Sequence, residues 1–285
     1  MVERAGLRHL LAHATLLLGV CIVGFPLLVA FIASTLSAEQ IAGESTLSLS
    51  LGSHGMETWK TALFGGQTRY GSSIAPVLPM MITSLISALA IALGKIAISL
   101  LSAFAFVFFR FPGRTLCFWL IFITLMLPVE VRILPTYSIV ASLGLLDSWT
   151  GLTVPLMASA TATFLFRQFF MTIPPELVEA ARMDGASPMQ FFRDVLLPLS
   201  RTSMAALFVI QFIYGWNQYL WPLLVTTNES MYPIVTGIRR MIGGGDAANE
   251  WNVVMAAALL AMIPPAIVVL TMQRWFVQGL VEREK

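Results

Sequence analysis

Six apolar runs, each about long enough to cross a bilayer as a helix, leave this chain few folds to choose from: roughly 10–32, 77–109, 116–134, 152–170, 204–225 and 253–272. About 20 helical residues span the hydrocarbon core. The runs are continuously apolar, whereas barrel strands would alternate apolar and polar positions. The expectation is an all-α, polytopic membrane protein with six transmembrane helices, organised as a single domain over 1–285. Charged residues make up only 11% of the chain and hydrophobic ones 57%, far from the balance of a soluble domain. The net charge of +2 is too small to suggest nucleic acid as a partner. The second run is longer than one crossing needs, so it should tilt or extend past the membrane face. Arg4 and Arg8 precede the first run, but that run exceeds a signal-peptide core, and Leu36-Ser37-Ala38 is a poor cleavage site. It reads as an uncleaved span. Cys21 and Cys117 sit inside apolar runs and read as small buried hydrophobes.

Basic residues set the orientation. One set of connections carries Arg110, Arg114, Arg167, Arg182, Arg193 and Arg201, together with the arginines and lysine of both ends. The other carries Lys60, Arg69, Arg132, Arg239 and Arg240. The richer side, with both termini, is expected in the cytoplasm.

The connection over 174–201 is a charged island between nearly uncharged spans. Pro174-Pro175 ends the fourth span and opens a new helix. Glu176 and Glu179 fall in its first turns, where the helix dipole favours carboxylates. Ala180 and Ala181 leave part of that helix bare, open to close approach by another surface. Gly185 suits a left-handed helix terminus. Ser187-Pro188 reads as an N-cap and first-turn proline of a second short helix with an apolar face of Phe191, Phe192, Val195 and Leu196. Pro198 marks the turn back to the membrane. Taken alone, these features fit either a solvated helix pair packed on its own bundle or a docking element.

The residues Glu179-Ala180-Ala181, Asp184-Gly185-Ala186, Val195 and Leu197-Pro198 resemble the EAA loop of the permeases of binding-protein-dependent ABC importers. One departure is Thr202, where a second proline is often found. The resemblance implies that Glu179, Ala180, Ala181, Asp184, Gly185 and Ala186 form a coupling helix seated in a groove of a partner ATPase. It also implies a second homologous permease subunit, an ATPase dimer, a periplasmic substrate-binding protein and a bacterial inner-membrane location. The chain itself would need no cofactor, ATP and Mg being used by the ATPase. Arg110-Phe111-Pro112-Gly113-Arg114, the stretch from Trp216 to Leu223 and the stretch from Gln273 to Leu280 resemble the carbohydrate branch of these permeases. The runs Phe122–Arg132 and Ala158–Met171 resemble permeases of sn-glycerol-3-phosphate importers within it. They imply transport of that ester, and possible transport of glycerophosphodiesters, with a neutral sugar or oligosaccharide as the alternative cargo.

A phosphate ester needs cations and hydrogen-bond donors along its path. Lys95 lies within the second run, and an ionisable residue there is costly enough to be a functional candidate. Arg132 lies at the outer end of the third run beside Glu130. Either cation could meet the phosphate; alternatively Lys95 pairs with a neighbouring helix or snorkels, and Arg132 pairs with Glu130. Asn217 and Gln218 could line the path, or bond between helices while Trp216 and Trp221 form an interfacial belt. His9 and His13 have the i, i+4 spacing of helical metal ligands but lack a third ligand, so no metal site is expected. No Gly-x-x-x-x-Gly-Lys-[Ser/Thr] loop is present, so the chain is not itself the ATPase. No catalytic constellation stands out. An ion-coupled transporter would call for embedded carboxylates or broken helices, and only Glu130 comes near.

Overall fold

The computed structural model describes residues 3–43, 50–68, 71, 73–242 and 249–281. Helices α1 (Glu3–Thr35), α2 (Ala38–Gly43) and α3 (Gly55–Phe64) are followed by a two-stranded antiparallel pair, β1 (Gly66–Gln67) and β2 (Ser73–Ile74), in which Gly66 faces Ile74. Next come α4 (Val77–Phe108), α5 (Arg114–Met126), α6 (Val129–Ser142), α7 (Trp149–Thr153) and α8 (Ala160–Met171). The polar island forms α9 (Pro175–Met183), α10 (Pro188–Phe191) and α11 (Leu197–Leu199). The remainder is α12 (Arg201–Trp216), α13 (Leu220–Val225), α14 (Ile234–Met241) and α15 (Trp251–Val281).

The all-α expectation holds, and each of the six apolar runs is helical over most of its length. Helices α1, α4 and α15 are each long and apolar enough to cross a membrane alone. At 1.5 Å per residue α4 reaches about 48 Å, well beyond a hydrocarbon core of about 30 Å. The third, fourth and fifth runs differ from the continuous spans expected of them. The third is broken at Leu127-Pro128 into α5 and α6, because Pro128 has no N–H to continue the ladder. In the fourth, α7 runs into a 3₁₀ turn over Val154–Leu156, and α8 begins after a 48° bend. The fifth stops at Trp216 and resumes as α13, with Asn217–Tyr219 outside either helix.

Contacts divide the chain into two compact units. One runs to Pro79 and includes Gly237–Ile263. In it, α3 is tied to the end of α1: Trp59 Nε1 donates to Ser34 Oγ at 3.0 Å, and the Trp59 ring meets Phe31 edge-on. Asn252 donates to Thr58 Oγ1 at 3.3 Å. Most of α1 turns its apolar side chains outward, Val23 being 74% exposed, as a lipid-facing helix can. Cys21 and Cys117 are also exposed, contrary to the expectation of burial.

The other unit, Met80–Thr236 with the chain from Pro264, holds two apolar clusters. Phe104, Phe166, Phe170, Phe191, Phe192 and Leu196 join the ends of α4 and α8 to the polar island. Ile133, Val140, Leu152, Trp221 and Val225 join α6, α7 and α13. A latch reinforces the second cluster. Asp147 Oδ1 accepts the N–H groups of Thr227 (2.6 Å) and Asn228 (2.9 Å), and Oδ2 accepts the Thr227 hydroxyl at 2.6 Å. Those bonds hold the Asp147 carboxyl below its ordinary value, the Thr227 hydroxyl contributing most.

Candidate functional site

Two places carry the chemistry, and both lie in the second unit. The first is a cavity of about 290 Å³ where the broken helices meet α4 and α12. Leu127 and Pro128 reach it from the break between α5 and α6, and Ala158–Thr161 from the start of α8. Lys95 enters from α4 and is only 5% exposed. Its ammonium donates to Gln211 Oε1 of α12 at 3.1 Å and sits 3.5 Å from the centre of the Tyr214 ring. This contact combines a hydrogen bond with a cation–π interaction. Arg132, half-buried on α6, lines the same cavity. The structure thus brings together two cations that lie 37 positions apart in the chain (132 − 95).

Local structure explains why the cavity exists. Ser159 caps α8 by accepting the N–H of Ala162 at 3.2 Å, so the helix starts there. Ala160 and Thr161 of its first turn line the space. Gly94, next to Lys95, lets the bend approach α4: a Cβ there would stand 2.6 Å from the Met157 sulfur. Trp221 closes another side and is fixed by its Nε1–H donating to the Gly151 carbonyl at 3.1 Å. Among the described residues, no Asp or Glu lines the cavity. Two cations and a helix N-terminus around a space that no described carboxylate lines suit an anion. Helices broken at membrane depth are tolerated where they line such a space.

The other path candidates fall elsewhere. Asn217 is the exposed C-cap of α12, and Gln218 donates from Nε2 to the Tyr214 carbonyl at 3.0 Å, back onto its own helix. Neither lines the cavity. Trp216 and Trp221 are 2% and 3% exposed, so they are core residues rather than a belt. The Glu130 side chain lies outside the described residues. Gln211, Tyr214, Ser159 and Thr161 escaped the sequence reading. Gln211 had a signal, being a polar residue within the apolar fifth run; Ser159 and Thr161 had none beyond the resemblance they were quoted for.

The second place is the island. Helix α9 has Pro175 in its first turn, Glu176 near its start and Arg182 near its end, in accord with the helix dipole. Gly185 takes φ 73°, and the next N–H, of Ala186, bonds back to the Ala181 carbonyl at 2.9 Å. Ser187 and Gln190 form a reciprocal capping box that starts α10. Phe191, Phe192 and Leu196 bury the expected apolar face. A π-turn over Phe192–Leu196 precedes Pro198, which lies in the first turn of α11. The return to the membrane comes at Ser200, through a 73° bend, rather than at Pro198.

Glu179, Asp184 and Gly185 are exposed, and Ala180, Ala181 and Ala186 half-buried. Ala181 packs with Val178 against the island's own cluster, so the bare patch expected of both alanines is narrower and centred on Ala180. Beside Glu179 and Asp184, Met183 is 83% exposed and Leu177 41%. An outward face of carboxylates and unpaired apolar side chains on a firmly anchored helix can dock a second protein.

Comparison with known proteins bears on both places. Residues 95–282 match the family described as binding-protein-dependent transport system inner membrane component. The chain is 58% identical to the sn-glycerol-3-phosphate transport system permease protein UgpE of Brucella melitensis, over the whole of both chains. It is equally similar, with the same coverage, to proteins of that description from Agrobacterium fabrum and Salmonella typhimurium. Among solved structures, a bacterial ABC transporter involved in import of the acidic polysaccharide alginate superposes with a TM-score of 0.74, at 21% identity, over 95% of this chain and 96% of that one.

Proposed function

The chain belongs to the binding-protein-dependent transport system inner membrane components, and from that membership we propose that it is the permease subunit carrying sn-glycerol 3-phosphate through an ATP-driven importer. The observation that carries the cargo is the cavity where Lys95 and Arg132 converge, with no carboxylate among its described lining residues. A phosphate monoester carries nearly two negative charges at neutral pH. Two cations answer that charge, and the N–H groups at the start of α8 supply further donors. A neutral sugar would leave both cations uncompensated. Relatives described as sn-glycerol-3-phosphate permeases, matching end to end, support the same cargo.

Transport follows alternating access. The chain pairs with a second, homologous permease around a shared path. Two ATPase subunits bind on the cytoplasmic side, where α9 seats Glu179, Ala180, Ala181, Asp184, Gly185 and Ala186 in a groove of one of them. Closure of the ATPase pair on ATP pulls α9. Because α9 and α10 are bound through Phe191, Phe192 and Leu196 to the ends of α4 and α8, the pull reaches the helices that line the cavity. ATP and Mg act on the ATPase, and this chain performs no catalysis. A periplasmic binding protein delivers the ester from the other side; a solved relative of the fold is described in complex with such a protein. Both termini face the cytoplasm, in keeping with the basic residues on that side.

The helix breaks at Pro128, Met157–Ser159 and Asn217–Tyr219 are also what an ion-coupled carrier would use. The anchored docking helix and the family membership favour the ATP-driven reading. Proteoliposomes holding both permeases, the ATPase and the binding protein should accumulate sn-glycerol 3-phosphate only with ATP on the ATPase side. Uptake of maltose in its place would overturn the cargo, and uptake by this chain without an ATPase would overturn the class.

A further inference from the structure

A second basic pocket, separate from the Lys95 cavity and from the outward face of α9, opens where α5 begins. It measures about 250 Å³ and is lined by Arg114, Thr115, Phe118, Trp119, Arg167 and Gln168 among others, with no Asp or Glu among the described residues. We propose that this pocket holds the headgroup of an anionic phospholipid.

Arg114 is the first residue of α5, which has no acidic residue in its first turn and no side-chain cap from Gly113. A helix N-terminus already carries partial positive charge, so an arginine there adds to the potential instead of balancing it. Arg114 Nη1 donates to the Phe109 carbonyl at 3.3 Å, which fixes the guanidinium beside the pocket without a counter-charge from that neutral partner. Arg167, from α8, lies 4.6 Å from the centre of the Phe118 ring. That stacking holds the second guanidinium in place and also brings no counter-charge. Thr115 and Gln168 add hydrogen-bonding groups. Two positioned guanidiniums suit the oxygens of a phosphodiester.

The surroundings identify the phosphodiester as a lipid's. Leu116, Leu120 and Ile123 of the same helix are 64%, 53% and 59% exposed and offer apolar surface for acyl chains. Trp119 at the pocket is 51% exposed, as befits an indole at the level of the headgroups. Basic pockets between membrane helices are suited to anionic headgroups. The pocket lies at the end of the bundle that also carries the polar island, since Arg114 bonds to the Phe109 carbonyl and Phe109 lines a neighbouring hollow with Val178 and Ala181 of α9. A bound lipid would brace α5 against α8 next to the elements that receive the ATPase's pull.

The test uses the whole transport complex, purified in detergent with equimolar phosphatidylglycerol and phosphatidylcholine and examined by native mass spectrometry. The wild-type complex should retain phosphatidylglycerol over phosphatidylcholine, and R114Q/R167Q should lose about tenfold or more of that preference. R114K/R167K, with the charge restored, should recover most of it, which separates headgroup binding from a folding defect. Unchanged retention in the glutamine variant would overturn the proposal. So would displacement of the lipid by millimolar inorganic phosphate.

Discussion

Lys95 Nζ donates to Gln211 Oε1 across 3.1 Å and so joins α4 to α12 inside two apolar helices. A lysine parked on a neutral amide keeps its charge available, where a carboxylate partner would have cancelled it. Lys95→Met should therefore reduce sn-glycerol 3-phosphate uptake at least tenfold, because a charge-assisted hydrogen bond contributes about 1.5–3 kcal/mol. Assembly, followed by co-purification of the complex, should persist. Normal uptake by an assembled Lys95→Met complex would remove Lys95 from the path.

Arg132 offers a fork where Lys95 offers a point charge. Arg132→Lys should keep some transport but raise the KM about 5- to 20-fold, through loss of bidentate phosphate contact. Arg132→Gln should be worse. Uptake assays across substrate concentrations separate the two, and equal KM values in all three proteins would assign Arg132 a purely structural place.

Gly185 terminates α9 at φ 73°. A leucine there costs about 1–2 kcal/mol of backbone strain and should misplace the exposed Glu179 and Asp184. Gly185→Leu and Glu179→Lys are expected to leave the spans inserted and the ATPase active while uptake falls to background. Parallel ATPase and uptake measurements check this; full coupling in both variants would make the island a solvated loop.

Asp147 latches the α6–α7 connection to Thr227 and Asn228. Its folded pKa lies below the ordinary 3.8, so the latch is complete above that value. It is lost as acid carries the pH below 3.8 and through the lower folded value. Thermal unfolding of the purified protein should show this acid-side loss of Tm, and Asp147→Ala should abolish that component. Asp147 has φ 51°, a region asparagine tolerates, so Asp147→Asn should be milder than Asp147→Ala. Identical acid profiles for wild type and Asp147→Ala would dismiss the latch.

The helices were legible because membrane spans are written in continuous apolar runs, and the ends of the island's helices because Pro175, Gly185 and Ser187 each have one dominant local use. The breaks were harder. Pro128 was visible, but hydropathy averages across it, and the unwound residues 157–159 and 217–219 have no composition that separates them from a helix in lipid. Lys95 and Arg132 were legible as candidates one at a time. That they share a cavity depends on α6 turning after Pro128 and on Met157 resting against Gly94, which are tertiary facts. Asn217 and Gln218 were legible as polar residues near a span; that they sit at the end of α12 and outside the Lys95 cavity was not. Asp147 was invisible, since its partners lie some 80 positions away.

The most direct measurement is ATP hydrolysis by the reconstituted complex, its binding protein present, with sn-glycerol 3-phosphate, glycerol or maltose added. Stimulation by sn-glycerol 3-phosphate alone is expected, and loss of it in a Lys95→Met, Arg132→Gln double variant whose basal hydrolysis persists. Stimulation by maltose, or undiminished stimulation by sn-glycerol 3-phosphate in the double variant, would contradict this reading.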